Sequence, residues 1–128
     1  MDELEAFRTN KPDIARLRQQ NPELGDLLIG EFKDAPNVYN LPEGVVVSWE
    51  LLQGKPKNPT YGRIPFGHFE FPTGYTEEVT VLDGTLEAEV AGIKKGTFTR
   101  GQIVVAPPNT LLKLDVRELR VYYFCQYK

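Results

Sequence analysis

The sequence predicts a mainly β domain, an antiparallel barrel or sandwich, behind a short helical N-terminal extension. Three observations carry this. From Val45 onward, apolar residues recur with a period of two in several short runs. Gly, Pro, Asn and Asp separate those runs at regular spacing, as turns between short strands do. Before Val45 the apolar residues fall instead at near-helical spacing. The division is therefore 1–44 for the helical extension and 45–128 for the barrel.

In the extension, Ile14, Leu17, Leu24, Leu27 and Leu28 share a helical stripe broken at Asn21-Pro22. Asn10 is a good cap and Pro12 suits a first helical turn. Pro22 and Glu23 open a second short helix that Gly30 ends. Lys, Arg and Gln fill the other face of the first helix, so the pair packs on the domain or on a neighbouring subunit. A DNA-reading helix-turn-helix is the alternative, with only Arg16 and Arg18 to support it.

The strands follow in order. Val45, Val47, Trp49 and Leu51 share one face. Gly54–Pro59 is a turn-rich basic loop. Phe69 and Phe71 alternate with His68 and Glu70. Val79–Leu82 runs into Asp83-Gly84, a strong hairpin signal. Leu86, Ala88 and Val90 alternate with Thr85, Glu87 and Glu89, and Gly92 and Gly96 bracket a turn around Lys94-Lys95. Pro107-Pro108 ends the strand that holds Ile103–Val105. Leu112, Leu114 and Val116 alternate with Lys113, Asp115 and Arg117. Val121, Tyr123, Cys125 and Tyr127 share a face opposite Tyr122, Phe124, Gln126 and Lys128.

Composition narrows the chemistry. A chain of 128 residues fits one domain, and at this size about 68% of the unfolded surface can be buried without a metal or disulfide. The net charge of −3 gives no basic surface for nucleic acid. No apolar run is long enough for a membrane span, and the acidic start Met-Asp-Glu-Leu-Glu does not read as a signal peptide. One cysteine, Cys125, leaves no internal disulfide and points to the cytoplasm. The chain has one His, His68, so a mononuclear site with two or three His is impossible within it. Its one Ser, Ser48, lies inside the apolar run Val45–Trp49 and reads as a strand residue, not as a nucleophile on an exposed turn.

Two patterns stand out, Gly67–Gly84 and Gly101–Pro107. They look like the two motifs of a small cupin barrel with most metal ligands missing. Glu77 stands where the first motif has its acidic ligand. The positions of the expected His fall near Phe71 to Thr73 and near Leu112, and His68 is out of register. A lone carboxylate holds a divalent metal weakly, through water, so no metal and no other cofactor is expected.

Gly62, Gly67, Phe69, Phe71, Thr73, Glu77–Leu82, Gly84, Gly101, Pro107 and the ending Tyr123–Tyr127 go further. From about Tyr61 to Tyr127 the chain resembles the small cupin-type pyrimidine/purine nucleoside phosphorylases. That resemblance implies a single cupin-type barrel (double-stranded β-helix, or jelly roll). It also implies a pentosyl-transferring enzyme that converts a purine or pyrimidine nucleoside and phosphate to free base and ribose 1-phosphate. The chain departs from the family in its N-terminal extension, in His68 where an acidic residue is usual, and in Gln126 where Arg often follows the Cys.

Phosphorolysis needs donors for phosphate, a hold on the ribose and a proton donor for the base. On this reading Glu77 is the inward carboxylate and a catalytic group, and His68 is a second catalytic candidate. Arg63 and Arg100 are candidates for phosphate, since guanidinium pairs well with its oxygens. Glu78 suits ribose hydroxyls or a base N–H, and Phe69, Phe71 and Tyr123 can stack on the base. Each residue also has a plainer reading. The phenylalanines can be core, and the arginines surface charges. His68 can be an ordinary strand residue, and Cys125 a small buried hydrophobe. Glu77 and Glu78 point to opposite faces if extended. The alternative function is a metal-free cupin that binds or senses a small polar metabolite without turnover. Edge strands and the N-terminal helices can build a homodimer.

Overall fold

The computed structural model describes residues 2–92 and 94–128. Two α-helices, α1 (Glu3–Thr9) and α2 (Ile14–Gln20), and a 3-10 helix (Pro22–Leu27) precede eight strands. The strands are β1 (Asn37–Leu41), β2 (Gly44–Glu50), β3 (Thr60–Pro72), β4 (Glu77–Asp83), β5 (Leu86–Val90), β6 (Lys94–Phe98), β7 (Ile103–Ala106) and β8 (Leu111–Tyr127).

The N-terminal elements differ in detail from the sequence expectation. α1 is capped by Asp2, whose carboxylate accepts from the Glu5 N–H at 2.7 Å. Asn10 does not open the next helix, because its own N–H already closes α1 on the Ala6 carbonyl. The cap of α2 is Asp13, which accepts from Ala15 and Arg16. The sheet begins at Asn37, ahead of Val45. β1 is only partly buried and mixes two Asn with its apolar residues, so it shows no clear alternation.

Every strand pairing is antiparallel, and β8 is the spine. β3 pairs along its whole length on one side, from Thr60↔Cys125 to Pro72↔Leu111. On the other side β4 takes the Tyr122–Tyr127 half and β5 the Leu112–Asp115 half. Asp83-Gly84 is therefore not a hairpin. The chain bends at Gly84 and continues along β8 instead of folding back on β4. Gly84 has φ +95°, and a Cβ there would stand 2.6 Å from the Arg120 carbonyl oxygen. The hairpin here joins β5 to β6, with Ala91 and Gly92 in its turn. Lys94 and Lys95 belong to β6 and not to a turn.

Two cores flank the sheet. The interior one gathers Val46, Ile64, Phe69, Val81, Leu114 and Val121 with their neighbours. The outer one packs Leu17, Leu24, Leu28 and Phe32 against Trp49, Leu51, Leu82 and Phe124. Burying each such side chain contributes roughly 1.5–3 kcal/mol, so the N-terminal segment is an integral layer. Polar ties fix it further. The Trp49 indole N–H donates to the Phe7 carbonyl at 2.9 Å. The Glu3 carboxylate accepts from Arg120 at 2.8 Å and from Arg63 at 3.3 Å. No helix among the described residues is long and apolar enough to cross a membrane.

Candidate functional site

A cavity of about 380 Å³ opens between the inner faces of β1, β2, β3, β4 and β8. Strand alternation supplies its walls. Val46, Ser48 and Glu50 come from β2, Glu77 and Val79 from β4, and Tyr123, Cys125 and Tyr127 from β8. Ile64, Phe71, Leu112 and Leu114 make an apolar side, and Lys57 reaches in from the loop between β2 and β3. A mostly apolar hollow with a few convergent polar groups is the usual form of a small-molecule site.

Glu77 is the distinctive group. It is half-buried, and that burial pushes its carboxyl above the ordinary carboxylate range. The Cys125 thiol, which donates to Oε1 at 3.7 Å, and the charge of Lys57 pull the other way without outweighing it. Burial and then the neighbouring Glu77 charge push the Cys125 thiol up, so it stays protonated and is no nucleophile. Burial likewise keeps the Tyr123 and Tyr127 hydroxyls protonated as donors. Tyr127 Oη lies 3.4 Å from Thr60 Oγ1. Lys57 Nζ sits 4.5 Å from the Tyr127 ring centroid, a cation–π contact. Two further carboxylates reach the cavity already partnered, Glu50 by Lys33 and Glu70 by His68.

The structure brings Glu77, Phe71 and Tyr123 together in this cavity. Other candidate residues lie elsewhere. Phe69 is buried in the interior core and does not line the cavity. Glu78 points to the opposite face from Glu77 and pairs with Lys128 at 3.1 Å. His68 is exposed on the outer face, with Asp115 at Nδ1 and Glu70 at Nε2, both 2.8 Å away. Arg63 is buried on the outer face against Glu3. Arg100 donates to the carbonyls of Leu82 and Gln20, so it ties the N-terminal layer down. Sequence reasoning missed Lys57, Tyr39, Thr60 and Tyr127 as lining residues. For Tyr127 the signal was present, since it shares a face with Tyr123.

The donor set does not suit a metal. Among the described residues no group of three or more His, Cys, Asp or Glu can hold an ion. Around Glu77 stand a protonated thiol, the Lys57 ammonium, tyrosines and apolar side chains.

An antiparallel sheet built on both sides of one long strand, with a mostly apolar hollow between its inner faces, is a cupin-type fold. Solved structures share this fold. One is the EutQ protein of Clostridium difficile, 20% identical over 65% of this chain and 68% of that one, with a TM-score of 0.54. Within that class the chain belongs to the pyrimidine/purine nucleoside phosphorylase family, whose profile matches residues 35–127. The match begins where the sheet does. A protein of unknown function from Vibrio parahaemolyticus is 24% identical over 77% of this chain and all of its own, with a TM-score of 0.64. A DUF1255 protein of unknown function from Acinetobacter is 22% identical over 76% of this chain and 92% of its own, with a TM-score of 0.63. At these identities the likeness carries the fold alone. No curated protein matches the chain.

Proposed function

We propose that the cavity binds a purine or pyrimidine nucleoside with phosphate and catalyses phosphorolysis to the free base and ribose 1-phosphate. The family match supports this reading, and the state of Glu77 carries it. A carboxyl that burial biases toward its protonated form can donate a proton to a departing base. The C1′–N bond breaks, and the base leaves with the electron pair and the Glu77 proton. A phosphate oxygen forms the C1′–O bond, and the proton it sheds restores Glu77. Phe71 and the apolar wall offer the base a surface, and the Tyr123 hydroxyl offers the ribose a donor.

Purified protein incubated with a nucleoside panel and phosphate tests this. The expected result is release of free base that requires phosphate and drops by about 100-fold or more in Glu77→Gln. Release that is independent of phosphate, or equal in the variant, argues against it. A second reading is a metabolite-binding barrel without turnover, favoured by the commitment of Arg63 and Arg100 to the N-terminal layer and not to the cavity. It predicts a nucleoside-induced rise in melting temperature with no free base.

A further inference from the structure

A cation or a set of backbone N–H groups holds a phosphate group, and both arginines that the sequence offers for it are committed to the N-terminal layer. Lys57 is the single cation among the described residues that line the cavity. Among those residues no carboxylate forms an ion pair with it. It lines the hollow alongside Glu77 and Cys125. The Tyr127 ring orients the ammonium through its π face. Such a contact leaves the N–H donors available, where a carboxylate partner would occupy them. Thr60 and Tyr127, whose hydroxyls lie 3.4 Å apart, line the same cavity as Lys57. Of the carboxylates nearby, Glu50 and Glu70 are partnered, and burial favours the neutral form of Glu77.

We infer that Lys57 is the anion anchor of this cavity, holding a phosphate group between Nζ and the hydroxyls of Tyr127 and Thr60. For the source of that group the inference rests on the phosphorolysis reading, which makes it free inorganic phosphate. The same chemistry would also hold a phosphate carried on a sugar. Lys57 thereby decides whether the site accepts an anionic co-substrate.

The test compares wild type, Lys57→Met and Lys57→Arg in thermal shift with inorganic phosphate and with ribose 1-phosphate, and in turnover. Phosphate should raise the wild-type melting temperature, and the rise should vanish in Lys57→Met and return in Lys57→Arg. An unchanged melting temperature of Lys57→Met without ligand shows that the variant is folded. In turnover the KM for phosphate should rise about tenfold or more in Lys57→Met, the worth of one charge-assisted hydrogen bond. The KM for nucleoside should stay unchanged. An equal phosphate response in Lys57→Met overturns the anchor, as does a wild type that neither phosphate species stabilises. Phosphate binding without turnover sinks phosphorolysis and keeps the anchor. Turnover with an unchanged phosphate KM in Lys57→Met does the reverse. A shift with ribose 1-phosphate alone keeps the anchor and assigns it a sugar-borne group.

Discussion

Gly62→Ala is a one-carbon change that should disturb both the barrel and its cavity. Gly62 sits in β3 directly opposite Tyr123 of β8. The tyrosine ring folds over it, so a Cβ at position 62 would meet the ring carbon Cζ and the hydroxyl at 2.3 Å. That is more than an ångström inside ordinary contact, which starts near 3.4 Å. The ring must move, and doing so gives up its packing against the interior core and intrudes on the cavity. Overpacking of this kind costs about 1–3 kcal/mol. Replacing a strand glycine by alanine returns about 0.5–1 kcal/mol of backbone entropy. The net loss should be about 1–2 kcal/mol, a fall in melting temperature of roughly 3–8 °C for a domain of this size. Thermal unfolding of wild type, both single variants and the double variant with Tyr123→Ala forms a cycle that isolates the clash. In the Tyr123→Ala background the cost of Gly62→Ala should disappear. If it persists there undiminished, or if Gly62→Ala stabilises the protein, the close approach of ring and glycine is not what holds position 62.

Glu77→Gln should change the pH dependence of stability. The folded-state pKa of Glu77 is raised, so its contribution is fully present below the ordinary carboxylate value of 4.5 and is lost as pH rises through the folded value. The variant should gain melting temperature relative to wild type as pH climbs from 4 to 8, and a difference that is flat with pH would contradict the assignment. Leu28→Ala, at a fully buried position of the outer core, should cost about 2–5 kcal/mol in urea unfolding. Loss of the N-terminal layer as a separate early transition would show that the two cores do not fold as one unit.

Most of the barrel could be read from the chain because strand alternation is a local property. The face shared by Val121, Tyr123, Cys125 and Tyr127 is the inner face of β8, and that pattern needs no knowledge of partners. Asp83-Gly84 misled for the opposite reason. Its turn chemistry is sound, but strand partners are chosen by the long β8, which accepts β4 and β5 end to end. The basic residues of the site were hidden in the same way. Arg63 is of the right type for phosphate, yet it lies on the face opposite Ile64, where the outer core has claimed it. Lys57 looks like a solvated charge in a Pro-rich loop until Tyr127, at the far end of the sequence, comes beneath it. Glycine carried more information than it showed. Gly62 and Gly84 mark close approaches of β8, which a list of turn formers cannot convey.

The double occupation of β8 limits how such a chain can diverge. Tyr123, Cys125 and Tyr127 wall the cavity, while Tyr122 and Phe124 between them serve the second core. Shifting this strand by one residue would send the tyrosines of the pocket outward and a phenylalanine inward, against the ladders on both sides. An insertion or deletion between Tyr122 and Tyr127 would disturb both ladders at once, whereas a single exchange leaves them in register. The loop from Gly54 to Pro59 is tied only near its C-terminal end, where Asn58 Oδ1 accepts from the Gln53 N–H at 3.0 Å and the Pro59 carbonyl from the Leu51 N–H at 2.9 Å, so a change in its length would move Lys57 and leave the β8 ladders intact. Differences in ligand preference among related barrels should accordingly be written in loop length around position 57, over a closing strand of constant length.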